Sequence, residues 1–273
     1  MSTPTITFIG AGNMARSIIG GLLESGHPAA ALRAADPFPD SLEQLRALGP
    51  VPTFADNADA VRDADVVILA VKPQIMAEAL PSIASQVAEN NALVISIAAG
   101  ITIDSMRARL GERTAIVRAM PNTPALLGCG ATGLYATEQV GETQRGYAEA
   151  ILGAVGIVEW LDSESALDAV TALSGSGPAY FFLFMEAMID AGVELGLARD
   201  TATAMAQQTA LGAARMAIEG DVDLVELRRR VTSPGGTTQA AVESFEADHL
   251  RDTIARAMGA AAGRAVAMSR ELG

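Results

Sequence analysis

Cysteine and lysine are almost missing from this chain of 273 residues. Cys129 is the only cysteine, so no disulfide can form within the chain. A single thiol is typical of proteins from a reducing cytoplasm. Lys72 is likewise the only lysine. Any mechanism that needs a lysine as acid, base or nucleophile must therefore use Lys72 or be rejected.

A net positive charge, long apolar runs and a secretion signal are also lacking. The net charge is −13 at pH 7, which argues against nucleic acid as a partner because phosphate binding requires a basic face. No run of about 18 uninterrupted apolar residues occurs, so we predict no membrane span. The N-terminus shows neither a basic segment nor a cleavage site. We expect a cytoplasmic protein that acts on a small molecule and has no metal site.

The first motif lies at the front of the chain. Residues 5–9 are predicted to form a buried strand, and residues 16–24 have helical spacing. Between them stands a G-x-G-x-x-A motif, which is the fingerprint of a dinucleotide-binding turn. In such a turn Gly10 makes the tight bend, Gly12 admits the pyrophosphate, and Ala15 lets helix and strand pack closely.

An acidic residue follows the second predicted strand. Residues 31–35 form this strand, and Asp36 comes about 20 residues after the glycine motif, where a ribose-binding acid is expected. A carboxylate there accepts a hydrogen bond from a 2′-hydroxyl and repels a 2′-phosphate, which favours NADH over NADPH. However, Asp36-Pro37 is also a good turn opener. Both interpretations stay open.

Further apolar segments predict an α/β fold of the Rossmann type. Residues 64–71, 92–97 and 115–118 are near-continuous apolar runs, as in the buried strands of a parallel sheet. Because they alternate with helical segments, we predict a doubly wound parallel sheet. Each run is followed by small or polar residues, which predicts a cofactor cleft at one sheet edge. We assign residues 1–160 to a dinucleotide-binding domain.

The second half is predicted to be entirely helical. Helical spacing covers residues 163–173, 179–196, 199–219, 221–230, 238–245 and 250–272, with a break at residues 174–178. The helix at 179–196 is apolar on nearly every face and so must be buried on all sides. In so small a domain, a second subunit is the natural cover. We therefore predict a helical dimerisation and substrate-binding domain at residues 161–273, and a homodimer.

A glycine-rich loop interrupts these helices. Residues 231–238 read Val-Thr-Ser-Pro-Gly-Gly-Thr-Thr and lead into a helix. The glycines allow close approach of a ligand, and the threonines are predicted to cap the helix. Free amides at a helix start attract carboxylate or phosphate. The alternative is an ordinary loop with a capping threonine. Arg230, next to the loop, lies either on a solvated face or beside a bound carboxylate.

Taken together, these motifs resemble the pyrroline-5-carboxylate reductase family over essentially the whole chain. The matching segments are residues 8–14, 70–73, 96–100, 118–124, 173–180 and 231–238. The first is shared with many dehydrogenases, whereas the last resembles the family's own signature. The resemblance implies reduction of 1-pyrroline-5-carboxylate to L-proline, interlocked helical domains in a dimer, and the option of a ring of five dimers.

The resemblance also assigns site residues. The residues expected to contact NADPH or NADH are Ile9, Gly10, Ala11, Gly12, Asn13, Met14, Asp36, Asn57, Ala70, Val71, Lys72, Pro73, Ile97, Ala98, Ala99 and Asn122. The residues expected to bind the substrate are Ser176, Ser233, Gly235, Gly236 and Thr237. The hydroxyl of Thr238 is expected to face the imine nitrogen as the catalytic group. Many members carry Lys-Asp where this chain has Arg228-Arg229, so those two positions receive no role.

Three other functions compete with this one. A 3-hydroxyacid dehydrogenase of the 6-phosphogluconate type needs a lysine in the second domain, and none follows Lys72. A reductase of a related cyclic imine would use the same motifs. A non-catalytic nucleotide-binding redox sensor would not need the second anion site that residues 233–238 predict.

Overall fold

The computed structural model describes residues 3–272, and they fall into two compact units. The first unit runs to Ser176 and takes up the chain again from Ala261. The second unit is Gly177–Ala260. The boundary expected near residue 160, between a dinucleotide-binding and a dimerisation domain, stays a prediction.

Within the described residues, the first unit contains one sheet of eight strands in the order β3-β2-β1-β4-β5-β6-β7-β8. The strands are β1 Ile6–Ile9, β2 Leu32–Ala35, β3 Thr53–Phe54, β4 Val66–Leu69, β5 Leu93–Ser96, β6 Ile116–Met120, β7 Gly130–Ala136 and β8 Gly156–Trp160. Strands β1 to β6 are parallel, and the central ones are buried on both faces. This is the reason for their continuous apolar sequences.

The far side of the sheet adds two strands to the predicted parallel arrangement. Strand β7 pairs antiparallel with β6, and β8 then pairs parallel with β7. Strands β3, β7 and β8 were not predicted. Strand β3 has only two residues, too few for a pattern. Strand β7 is rich in small residues, which give a weak strand signal, and β8 is an edge strand whose side chains alternate between half-buried and exposed.

Helices cover both faces of the sheet. They are α1 Asn13–Glu24, α2 Pro39–Arg46, α3 Asn57–Ala60, α4 Met76–Asn90, α5 Ile103–Leu110, α6 Glu142–Gly153 and α7 Ala166–Val170. One apolar core contains side chains of α1 and α6, such as Ile18 and Leu152, and the other contains side chains of α4 and α5, such as Ile83 and Met106. The doubly wound α/β fold is therefore confirmed.

The helical end of the chain is confirmed as well. It consists of α8 Gly177–Glu194, α9 Arg199–Glu219, α10 Leu224–Arg230, α11 Thr237–Ala247 and α12 Leu250–Leu272, the last of which continues into the first unit. Within the second unit, the rings of Phe184 and Phe245 lie 6.2 Å apart. None of the helices between residues 3 and 272 combines the length and the apolar character that a membrane span requires.

The predicted helix break at residues 174–178 takes a compact form. The α-helical path of α7 changes to a π-helix at Thr171–Gly175, a bend follows at Ser176, and α8 begins at Gly177. The Ser-Gly-Ser-Gly-Pro sequence is compatible with this path because Pro178 falls in the first turn of α8, where an amide has no intrahelical acceptor. A π-helix is rare and is often found at a functional site.

Candidate functional site

The turn between β1 and α1 has the geometry of a dinucleotide-binding loop. Gly10 has a φ of +99°, and a Cβ there would lie 2.7 Å from the carbonyl oxygen of Ala70, so only glycine fits. At Gly12, by contrast, a Cβ would meet no atom within 4 Å. Helix α1 begins at Asn13 without a side-chain cap, which leaves its first-turn amides open to an anion.

Asp36 lies at the carboxyl end of β2 and ties this turn together. Its Oδ2 accepts a hydrogen bond from the amide of Ala11 at 2.8 Å. Its Oδ1 accepts from the amide of Phe38 at 2.9 Å, so the residue also opens the turn after β2. The bond from Phe38 agrees with the turn-opening interpretation of Asp36, and the ribose-binding interpretation stays a prediction. The carboxylate is adjacent to the turn between β1 and α1, and its two hydrogen bonds stabilise that turn and the one after β2.

The other strand ends meet at the same edge. Because β1, β4 and β5 are neighbours in the sheet, the residues that follow them are adjacent. The amide of Ala70 donates to Ile9 at 2.8 Å, and the amide of Ile97 donates to Leu69 at 3.2 Å. Lys72 is exposed just beyond β4. Predicted cofactor residues on three strands are therefore brought to one edge.

Two predicted cofactor residues have side chains engaged with the protein. Asn57, the first residue of α3, donates from Nδ2 to Ser82 Oγ at 3.1 Å. Asn122, just after β6, donates from Nδ2 to the carbonyl oxygen of Ser174 at 3.0 Å and accepts from the amide of Ala131 at 2.9 Å. Both of its polar atoms already have partners.

A partly buried ion pair in the first unit was not predicted. Arg118, on β6, pairs with Glu164, whose Oε1 also accepts from the amide of Ile103 at 2.9 Å. One carboxylate oxygen thus holds the end of β6 and the start of α5. Nothing in the sequence identified this pair, whose members lie 46 residues apart.

The glycine-rich loop of the second unit differs from the prediction in its cap. Gly236 is the N-cap residue of α11 and no side chain caps the helix, so the threonines stand in the first turn instead. The amide of Gly235 donates to Gln239 Oε1 at 2.6 Å, and the amide of Gly236 donates to Ser233 at 3.0 Å. Both amides, which were predicted to bind an anion, therefore have acceptors within the second unit. The first-turn amides of Thr237 and Thr238 have no intrahelical acceptor.

Arginines around this loop are paired with acids. Glu226 accepts from Arg229 at 2.6 Å and from Arg230 at 2.9 Å. The hydrogen bonds from Arg229 and then Arg230 lower the pKa of Glu226 to about 2. Arg230 thus has a carboxylate partner inside the chain, which favours the solvated-face interpretation over a role beside a bound ligand.

Two family models match separate parts of the chain. Residues 164–268 match the model described as pyrroline-5-carboxylate reductase dimerisation. Residues 5–100 match the model described as NADP oxidoreductase, coenzyme F420-dependent. A nicotinamide-nucleotide fold at the front and a dimerisation domain at the back are therefore shown.

Individual proteins match over the full length. The chain is 52% identical over 273 residues, covering 100% of both sequences, to a pyrroline-5-carboxylate reductase of Pseudomonas aeruginosa. A solved pyrroline-5-carboxylate reductase structure from Coxiella burnetii shares 44% identity at a TM-score of 0.95, covering 98% of this chain and 99% of that one. A Plasmodium falciparum pyrroline carboxylate reductase, solved with NADP bound, shares 30% identity at a TM-score of 0.86, covering 98% and 99%. This chain belongs to the pyrroline-5-carboxylate reductase family.

Proposed function

We propose that the chain reduces 1-pyrroline-5-carboxylate to L-proline, the last step of proline biosynthesis, with NADH or NADPH as the hydride donor. The family relation over the full length supports this activity. The observation that carries it in the structure is the turn at Gly10–Asn13, where a glycine-only bend, an open Gly12 and an uncapped helix start occur together.

The first unit fits a nicotinamide nucleotide. The open first turn of α1 would hold the pyrophosphate, since helix amides and the positive end of the helix dipole favour phosphate. Residues 70–73 and 97–99 would line the rest of the nucleotide at the ends of β4 and β5. When bound, the dihydronicotinamide supplies the hydride to the imine carbon.

The loop of the second unit would hold the substrate. The first-turn amides of Thr237 and Thr238 would bind the carboxylate, and the tight loop at residues 233–236 would leave room for the five-membered ring. Ser176 would add a hydroxyl contact. The hydroxyl of Thr238 would hydrogen-bond the ring nitrogen, which takes up one proton as the C=N bond becomes a C–N single bond.

Little acid catalysis is required of the chain. The imine is basic enough to be partly protonated near neutral pH, so its carbon is already electrophilic. Holding the two reactants in contact can itself lower the barrier by several kcal/mol. This agrees with a chain whose two histidines are expected to be structural and whose only lysine is at position 72.

The working form would be a homodimer through the helical unit, with each site built from the nucleotide edge of one copy and the loop at residues 233–238 of the other. The exposed apolar residues of α8 support a partner at this unit. A ring of five dimers would be a higher assembly of the same contact. The single exposed thiol of Cys129 agrees with a cytoplasmic location.

NADH would be the preferred donor, because a carboxylate at Asp36 repels a 2′-phosphate and the next four residues bring no cation. Initial rates with NADH and NADPH at equal concentration measure this preference. Asp36→Ser is expected to raise the NADPH-to-NADH ratio, and Asp36→Asn, which keeps the acceptor for the amide of Ala11, separates charge from loop support. An unchanged ratio in both variants would remove Asp36 from cofactor selection.

The reaction itself is tested by the oxidation of NADH, and separately of NADPH, with and without pyrroline-5-carboxylate. Oxidation that depends on the imine acid, with L-proline identified as the product, is the expected result. A folded dimer that oxidises neither nucleotide would contradict the proposal and favour a related cyclic imine or a sensor.

A further inference from the structure

Asn122 connects three segments of the first unit. It follows the end of β6, its oxygen holds the amide of Ala131 at the start of β7, and its nitrogen holds the carbonyl of Ser174 in the π-helix Thr171–Gly175. The residue is only 9% exposed. A buried amide whose donor and acceptor are both used is a fixed joint, since breaking either bond leaves a buried polar group without a partner.

The π-helix lies directly against this joint. A Cβ on Gly175 would lie 2.7 Å from Cε of Met120, the last residue of β6, so a side chain there would have to displace either the π-helix or the end of the Met120 side chain. The wide turn closes where the amide of Ser176 donates to the carbonyl of Thr171 at 2.8 Å. The position of Ser176 is therefore set by the π-helix, which Asn122 holds through its hydrogen bond to Ser174.

We propose that Asn122 is a positioning residue for the imine-acid pocket: it fixes the π-helix, and through it Ser176, instead of contacting the nucleotide. This inference rests on the proposed function, because Ser176 is a substrate residue only if the chain reduces pyrroline-5-carboxylate. The hydrogen bonds to Ser174 and Ala131 carry the inference. They give each polar atom of the side chain a partner before any ligand binds.

Asn122→Asp tests the joint with the smallest change. The carboxylate keeps an acceptor for the amide of Ala131 but cannot donate to Ser174, so the link to the π-helix is cut. Asn90→Asp is the matched control, since Asn90 also donates from a side-chain amide to a backbone carbonyl, that of Val61, at 3.0 Å. Each variant is assayed as the full-length enzyme for kcat and KM with pyrroline-5-carboxylate, and for the Kd of NADH by its fluorescence.

We expect Asn122→Asp to impair the reaction of the imine acid much more than the binding of NADH. In Asn122→Asp, kcat/KM for the imine acid falls roughly tenfold to a hundredfold, as displaced groups at a reacting centre do, while the Kd of NADH changes less than about twofold. Asn90→Asp changes neither. A large rise in the Kd of NADH for Asn122→Asp would overturn the proposal in favour of direct nucleotide contact. Equal behaviour of the two variants would overturn it as well.

A second variant covers the case in which Asn122→Asp does not fold. Gly175→Val places a branched side chain where a Cβ alone already lies 2.7 Å from Cε of Met120, so it pushes the π-helix away from β6 without changing Asn122. It is expected to show the same pattern at smaller size, and normal kinetics would contradict the proposal. Wild-type enzyme without imine-dependent oxidation would instead refute the proposed function, so the two failures are distinguishable.

Discussion

The two units differ sharply in where their apolar residues lie. In the first unit, strands and helices bury large side chains completely, such as Phe8, Ile68 and Leu80. In the second unit, the apolar side chains that are buried among the described residues are those of Ala202 and Ala206. Helix α8 meanwhile leaves Phe181 70% exposed and Leu183 67% exposed.

This difference in burial indicates that one chain completes the hydrophobic core of the first unit, whereas the second unit needs another chain to bury its apolar residues. Isolated exposed apolar residues are normal, but a run of them along one helix marks an interaction surface. The match of residues 164–268 to a dimerisation model agrees with this. The nucleotide unit supplies its own core, whereas the helical unit obtains its core by association.

Breaking the helical interface gives the largest expected effect. Burial of a Phe side chain contributes about 1.5–3 kcal/mol, and a two-fold dimer loses it twice. Phe181→Glu also places a charge in the interface, so the dimer Kd should rise by a factor of roughly 100 or more. Sedimentation velocity at several concentrations measures this, and activity should fall with the dimer.

Ile157→Glu is the control, because Ile157 is 65% exposed on edge strand β8 of the first unit. It should leave the dimer intact. If Ile157→Glu dissociates the protein and Phe181→Glu does not, the assignment of the interface to the helical unit is wrong.

Substitutions in the dinucleotide-binding turn between β1 and α1 are expected to have the next largest effect. Gly12→Glu points into open space, so it should fold normally but repel pyrophosphate and raise the Kd of the nucleotide at least about a hundredfold. Gly10→Ala should instead lower Tm, since the positive φ and the contact with Ala70 cost about 1–3 kcal/mol. Calorimetric binding and thermal unfolding distinguish the two. Equal Tm losses would show that Gly12 is a folding residue.

Removal of the Thr238 hydroxyl should act on turnover. We expect Thr238→Ala to lower kcat roughly tenfold to a hundredfold, as expected for one lost hydrogen bond to a charged or reacting group, with little change in nucleotide binding. Thr253→Ala, which removes an exposed hydroxyl that donates to His249, is the control. An unchanged rate in Thr238→Ala would exclude the hydroxyl from the reaction.

The smallest expected effect is a pH dependence of the free energy of unfolding, caused by His27 in the first unit. Burial lowers the pKa of His27 against the opposing hydrogen bond with Pro4, and within the described residues its Nε2 has no partner. The unfolded chain therefore binds this proton more tightly than the folded chain. Stability should be complete above about pH 6.5 and fall as the pH drops below it. Urea unfolding between pH 7.5 and 5 measures this dependence.

Two variants identify the responsible residue. His27→Gln should flatten this part of the profile, and His249→Gln, whose side chain is exposed in the second unit, should leave it unchanged. A profile that is the same in His27→Gln and wild type would assign the dependence to another group.

Some elements could be predicted because their signals are local. The apolar run of β4 and the glycine turn at residues 10–15 predicted both the structure and its place, since each feature arises within a few neighbouring residues. Helix α9 was predicted at its observed bounds for the same reason. The need of α8 for a partner surface could also be predicted, because its apolar residues occupy nearly every face of the helix.

Other features depend on partners distant in sequence. The bond from Asn122 to Ser174 and the pair of Arg118 with Glu164 join segments about 50 residues apart, and no local pattern reports them. The antiparallel β7 and the π-helix are set by tertiary packing on weak local preferences. The cap of α11 was misjudged because the side chain of Gln239 reaches back to Gly235.

The most direct test of the division between the units is subunit complementation. Gly12→Glu chains and Thr238→Ala chains are each assayed alone and after co-refolding as a mixture. Suppose that each site takes its dinucleotide-binding turn, with Gly12, from one copy and its Thr238 from the other. Every mixed dimer then has one intact site out of two. Since random pairing makes half of the dimers mixed, about a quarter of wild-type activity is restored. Mixed dimers with no activity above that of the separate variants would contradict the account, because both defects would then act within one chain.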